Sequence, residues 1–328
     1  MIKKVQNLVK MGVCVAMSTV SLMTFADTYP SKSINIVVPF NPGGGVDTVA
    51  RIIAVSLRES LGQDVIVDNK PGGSGMIGAN AVAKAEPDGY TLLLGSAGET
   101  AINEFVYKSK MQYSPAQDLA PITLVTKIPN VFVVSPRLPV NNVEEFVAYA
   151  KAHPNTLTYA TSGTGNVQHL DGELLKMMAG IDMTQIPYKG ASKQLVDVSS
   201  GMVDATFVSY TAARSFMQNG KVKALAVTSE LRADFDKSIP AVNEYPPLAQ
   251  YSLENWFGMF APAGTPREVL EKINSAVVAA LKNPELSEKL NNIGGKPAPL
   301  SIDQFSDFLK VERAVFADIV DQANITIQ

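Results

Sequence analysis

Cysteine and histidine are nearly missing from this chain. Its 328 residues hold one cysteine, Cys14, two histidines, His153 and His169, and a single tryptophan. That scarcity excludes a disulfide framework, thiol catalysis and a zinc centre built on cysteine and histidine. There is no excess of positive charge either: 28 basic residues face 31 acidic ones, for a net charge of −3. A nucleic-acid partner, which demands a basic surface, does not fit that balance. Neither a G-x-S-x-G elbow nor a G-x-x-x-x-G-K-[ST] loop occurs. No apolar run approaches the ~20 residues of a membrane span.

The N-terminus has a recognisable pattern. Met1-Ile2-Lys3-Lys4 is followed by an apolar run from Met11 to Phe25, then small Ala26 and polar Asp27. A charged start, a short apolar stretch and a small residue read as a secretory signal peptide over residues 1–26. Val13, not a small residue, precedes Cys14, which argues against lipidation. Cleavage removes Lys3, Lys4 and Lys10 and leaves 302 residues with 25 basic and 31 acidic side chains, a net charge of about −6. A chain of that length buries a large core and commonly divides in two.

Short apolar runs then alternate with amphipathic stretches. Residues 34–39 read as a buried strand. Val46, Val49, Ala50, Ile53, Ala54 and Leu57 mark one helix face after it. Strands are expected at 64–68, 91–95, 157–161, 186–188, 203–208, 222–228 and 257–261. Residues 121–134 form a long strand pair broken at Pro129-Asn130. Helices are expected at 77–85 and 143–152, and from Val167 through Met178. A capping box at Thr265-Pro266-Arg267-Glu268 opens another helix, and Ser301 with Gln304 opens the last one, 302–323. Such alternation predicts an α/β fold with mostly parallel sheets.

Two glycine-rich turns stand between a strand and a helix. They are Pro39-Phe40-Asn41-Pro42-Gly43-Gly44-Gly45-Val46-Asp47 and Thr161-Ser162-Gly163-Thr164-Gly165-Asn166-Val167-Gln168-His169. Free N–H groups and the positive end of the helix dipole make each turn an anion site. A single turn is equally well explained by a need for positive φ, but the pair suggests an anion held between two lobes. Asp47 serves as a cap or fixes its loop, because a carboxylate there repels a bound anion. His169 is either a packed helix-face residue or a support for the second turn. Gly73-Ser74-Gly75-Met76-Ile77-Gly78 matches the dinucleotide fingerprint G-x-G-x-x-G. It follows the second strand rather than the first, behind Lys70-Pro71 and an export signal, so it reads as a structural turn.

These segments resemble a known family. The first turn with Ala50-Arg51, Asp68 through Gly75, Pro87-Asp88-Gly89-Tyr90-Thr91-Leu92, and the second turn all resemble signatures of the Bug-type periplasmic solute-binding proteins of tripartite tricarboxylate transporters. So do Pro187-Tyr188-Lys189-Gly190, Gly201-Met202-Val203-Asp204 and Phe260 through Pro266. The resemblance implies a two-lobed periplasmic-binding-protein fold of type II. Residues 27–127 and 250–328 would form one lobe and 128–249 the other. It implies a small carboxylate ligand (an amino acid, a di- or tricarboxylate, or an aromatic acid) and delivery to a two-component membrane permease, with no cofactor and no catalysis. It points to Phe40, Asn41, Gly44, Gly45 and Asp47 in the first loop. In the second loop it points to Ser162, Gly163, Thr164, Gly165, Asn166 and His169. Tyr188, Lys189 and Asp204 are expected to line the cleft, and Ser96, Ala97 and Glu99 to form a further wall. Glu99 is either a solvated loop residue or the partner of a cationic group on the ligand. A permease-independent sensor, an exported enzyme and a structural secreted protein are the other functional classes.

Overall fold

In the computed structural model the described residues are 29–188 and 190–325. The proposed signal peptide and Lys189 therefore lie outside them. Two mixed sheets carry the fold among these residues. The first contains β1 (Ile34–Val38), β2 (Val65–Asn69), β3 (Thr91–Ser96), β4 (Leu119–Ile128), β10 (Asn255–Pro262) and β11 (Lys296–Pro297), in the order β11-β4-β10-β3-β1-β2. The second contains β5 (Asn130–Val134), β6 (Thr158–Thr161), β7 (Thr184–Pro187), β8 (Ala205–Ser209) and β9 (Lys223–Val227), in the order β7-β6-β8-β5-β9.

The expectation of mostly parallel sheets needs correction. β1 runs parallel to β2 and β3, and β6 to β7 and β8. β10 is antiparallel to both neighbours, and so is β5. Both of these strands stand next to a crossing between the sheets, and the short β11 is antiparallel to β4 as well. The run 119–134 passes from the first sheet to the second at Pro129, which lacks the N–H needed to continue a ladder. The chain returns between Val227 and Asn255. At the crossing, Thr228 N–H donates to the Asn130 carbonyl (2.9 Å) and Asn130 N–H to the Thr228 hydroxyl (3.0 Å), so the two connections are tied together.

Helix α1 (Gly45–Leu61) buries the face read from its sequence: Val46, Val49, Ala50, Ile53, Ala54 and Leu57. Gly62 ends it in the left-handed conformation, φ 67°. The following helices are α2 (Met76–Ala83), α3 (Val143–Ala152), α4 (Val167–Ala179), α5 (Ala191–Ser200), α6 (Tyr210–Gln218), α7 (Arg267–Leu281), α8 (Pro284–Asn292) and α9 (Ile302–Gln322). Ser301 and Gln304 form the expected reciprocal cap on α9. Thr265 does not cap α7, because its hydroxyl donates back to the Pro262 carbonyl at 2.8 Å. Helix α8 and the short strand β11 have no counterpart in the sequence reading.

The core of the first sheet gathers Leu93, Trp256 and Phe260 with Phe305, Phe316 and Ile319 of α9. Val167 and Leu170 of α4 enter the same cluster, although α4 follows β6 of the second sheet. Burial of each such side chain contributes about 1.5–3 kcal/mol relative to exposure. The helix that carries the second glycine turn is thus anchored in apolar packing from both halves of the molecule.

Candidate functional site

Both glycine turns border one cavity of about 670 Å³. From the first come Phe40, Gly44 and Gly45; from the second, Ser162, Gly163, Thr164, Gly165 and Asn166. Ser96 and Glu99 complete the expected residues that border it. Each turn lies at the C-terminal end of an interior strand, second from the edge of its sheet (β1, β6), and open α/β sheets gather ligands at such strand ends.

The first turn is held by a carboxylate. Asp47 accepts from the Gly43 N–H (2.9 Å), the Arg51 Nε (3.0 Å) and the Asn69 Nδ2 (2.9 Å). Asn69 also donates to the Phe40 carbonyl at 3.0 Å, so strand β2 pins the loop from the side. Burial pushes the Asp47 carboxyl up, but hydrogen bonds from Arg51, Gly43 and Asn69 outweigh it and leave the group below its ordinary range. Asp47 is 3% exposed and does not border the cavity, which fits loop-fixing rather than contact with a ligand. The helix cap, Gly44, has no side chain to satisfy the first N–H groups of α1.

The second turn is held by neutral groups. Gln168 Oε1 accepts from the Ser162 N–H (2.7 Å) and hydroxyl (2.8 Å), and Gln194 Nε2 donates to the same hydroxyl at 2.8 Å. Asn166 caps α4 by accepting from the His169 N–H at 3.0 Å. His169 Nδ1 accepts from the Gly165 N–H at 3.1 Å, which fixes the proton on Nε2, 3.8 Å from Glu173. Burial drives the His169 imidazole down to about 4, although Glu173 pulls the other way. His169 supports the turn and is absent from the cavity wall. It also withdraws the Gly165 N–H from any ligand. Among the described residues, none accepts from the N–H groups of Gly163 or Thr164, and these remain for an anion. Gly165 has φ 77°, and a Cβ there would stand 2.6 Å from Val106 Cγ1, so only glycine fits.

Four further expected residues are not brought to the cavity wall. Asn41 is on the exposed rim of its loop. Ala97 is fully buried in the first core. Tyr188 turns toward α5, where its hydroxyl donates to Asp197 at 2.7 Å. The Asp204 carboxylate accepts from Thr158 N–H and Oγ1 at the start of β6, the far end of the strand from the glycine turn. Asp47 and His169 act behind the loops, as described. Lys189 is outside the described residues.

The wall also contains residues that sequence reasoning missed, notably Ser74, Asn103, Asn130, Ser192, Thr211 and Phe257. Ser74 belongs to the glycine segment dismissed as a structural turn. It supplied a signal, since glycines bring backbone close to whatever lies beside them. Two hydrogen bonds join the halves around the cavity: Tyr107 hydroxyl to the Thr164 carbonyl (3.3 Å) and Thr211 hydroxyl to the Ile293 carbonyl (2.6 Å).

Among the described residues of the wall, Glu99 is the one ionisable side chain. Among the described residues, an anion here meets backbone and neutral side-chain donors. Such donors can hold a carboxylate, with water bridging where the fit is loose.

Comparison with known proteins agrees with this geometry. Residues 49–325 match the family described as the tripartite tricarboxylate transporter family receptor. The chain is 32% identical over 319 residues to Protein BugT of Bordetella pertussis, with 97% of each chain covered. Its fold resembles that of R. palustris Rpa4515 solved with adipate (TM-score 0.83, 35% identity, covering 91% of this chain and 100% of that one). It also resembles MatC from Rhodopseudomonas palustris with bound malate (TM-score 0.77, 29% identity, covering 89% and 100%). The chain belongs to the receptor family of the tripartite tricarboxylate transporters, which includes the Bug proteins.

Proposed function

We propose that the protein is an exported, periplasmic solute-binding receptor that captures a small carboxylate in the cavity between its two lobes and delivers it to a membrane permease. The observation that carries this reading is the meeting of two helix-start glycine turns at one cavity, where no described residue accepts from the Gly163 and Thr164 N–H groups. Phe40, Gly44 and Gly45 on one side and Ser162, Gly163, Thr164 and Asn166 on the other are the contacts we assign. We assign 27–127 with 250–328 to one lobe and 128–249 to the other, hinged where Asn130 and Thr228 tie the crossings together. Closure is driven by the ligand's higher affinity for the closed form. The bound adipate and malate of two similar structures support a di-acid of modest length.

The test is a melting-temperature screen of protein freed of carried ligand by unfolding and refolding. The panel covers di- and tricarboxylates, amino acids, nicotinate and benzoate. A ligand at 100 times its Kd stabilises by about 2.7 kcal/mol. A clear upward shift confined to one group of acids is expected. No shift with any acid would overturn the reading.

A further inference from the structure

The cavity contains an acid with no accessible surface. Glu99 is 0% exposed, and lies just beneath the wall. The chain leaves β3 at Ser96 and enters a wide helical turn, Gly98–Ile102, so the Glu99 side chain folds back on the strand end. Its Oε1 accepts from the Ser96 N–H (2.5 Å) and its Oε2 pairs with the Ser96 hydroxyl (2.6 Å). Glycines roof it: a Cβ on Gly75 would stand 3.0 Å from Oε2, and one on Gly95 would stand 3.2 Å from Oε1. Burial pushes the carboxyl up to about 7, against the pull of the two Ser96 bonds.

The neighbouring ionisable groups are each engaged elsewhere. The Tyr113 hydroxyl donates to the Glu99 carbonyl, not to its carboxyl. Glu104 pairs with Arg313 of α9 at 3.0 Å, and Arg313 also donates to the Thr100 carbonyl. Glu312 of α9 accepts from the Trp256 indole, and Asp118 accepts from the Ser114 N–H. No ionisable side chain occurs in β3, in Gly73–Gly75 or in α2. Apart from its own backbone N–H, the Glu99 carboxyl therefore has Ser96 as its partner among the described residues, and Ser96, 7% exposed, borders the cavity.

A serine hydroxyl has one proton. An ionised Glu99 has none, so the Ser96 proton must point at it and the cavity meets only lone pairs. A protonated Glu99 supplies the proton of the shared bond itself and releases the Ser96 proton to the cavity. We propose that Ser96 contacts one end of the solute and that Glu99 is a positioning residue that sets the polarity of that contact. With Glu99 ionised, Ser96 accepts and selects an acid bearing a hydroxyl or ammonium group. With Glu99 protonated by solvent, Ser96 donates and selects a plain second carboxylate. This rests on the cavity being the solute site proposed above.

The experiment is calorimetric titration between pH 6 and 8.5, where the acids themselves stay ionised. The probes are matched sets: succinate, malate and aspartate, and adipate with 2-hydroxyadipate and 2-aminoadipate. In wild type, the preference for the plain diacid over its substituted partner should fall about tenfold as pH rises, the scale of one mismatched hydrogen bond to a charged group. Glu99→Gln, whose amide donates to Ser96 at every pH, should keep the plain-diacid preference throughout. Ser96→Ala should weaken binding of both members of each set and abolish the pH dependence of the preference. A wild-type preference that ignores pH overturns the switch. So does a pH dependence that survives in Ser96→Ala, since that would be the charge of Glu99 acting alone. Failure of every acid to bind wild type overturns the solute-site reading itself. Melting of the unliganded proteins provides a second readout. Glu99 has a raised folded-state pKa, so wild type should lose stability relative to Glu99→Gln as pH rises from about 4.5 through about 7, and a difference between the two that ignores pH would contradict this.

Discussion

The two glycine turns reach the same backbone arrangement by opposite side-chain chemistry. The first is organised around a charge, Asp47, and its residues 41–45 are exposed. The second is organised around two glutamines, an asparagine and a neutral histidine, and is wedged against Val106 of the other half. Among the described residues, neither scheme puts a cation in the cavity wall. What the turns share is therefore the output, N–H groups aimed at one space, and the side chains behind them are free to differ. The contrast also separates their sensitivities. The first turn depends on an ion pair that solvent can reach, and the second on packing and on an imidazole that must stay uncharged.

The largest effect should come from breaking the packed turn. Gly165→Val meets Val106 and forces a β-branched residue into positive φ, and should cost about 2–5 kcal/mol with loss of binding, read by chemical denaturation and calorimetry. Next is the imidazole. The His169 pKa is lowered when folded, so its stabilising effect is complete above about 6.5 and disappears as pH falls through about 4. That shift corresponds to about 3 kcal/mol at most. His169→Asn keeps an acceptor near the Nδ1 position, and its melting temperature should fall less than wild type's over this window.

For the first turn, Asp47→Ala removes the buried acceptor of three donors, one of them the half-exposed Arg51. About 1–2 kcal/mol of stability and roughly tenfold in affinity should be lost. Asp47 has a lowered folded pKa, so this contribution holds above about 3.8 and is lost on acidification below it. Added salt should weaken the Arg51 pair of the first turn and leave the second unaffected. The smallest effect should come from Tyr107→Phe, which removes the link to the Thr164 carbonyl. A change under about 1 kcal/mol is expected, seen as faster ligand release in stopped-flow measurements.

Much of this was legible in the sequence because it is local. The apolar spacing from Val46 to Leu57 predicts the buried face of α1, and Ser301 with Gln304 predicts a cap that forms. Glycine spacing revealed both turns. What the sequence hid depends on long-range pairing. Strands β5 and β10 are antiparallel to their neighbours because the chain switches sheets beside them, and no local pattern records that switch. Asp204 and Tyr188 are adjacent in sequence to cleft segments, yet face Thr158 and Asp197 instead. Asn103, Asn130 and Thr211 reach the cavity from elements that carry no motif. Glu99 read as a loop residue or a ligand partner. It is fully buried behind Ser96, an outcome set by Gly75, which lies 24 positions earlier in the chain.

The central claim is that one carboxylate is held by N–H groups of both turns at once. Glycine-selective 15N labelling tests it directly, by following amide resonances while titrating the acid that gives the largest melting shift. The account predicts that Gly44, Gly45 and Gly163 move together and saturate with one Kd. Saturable binding that moves the glycines of one turn and leaves the other unchanged would contradict it.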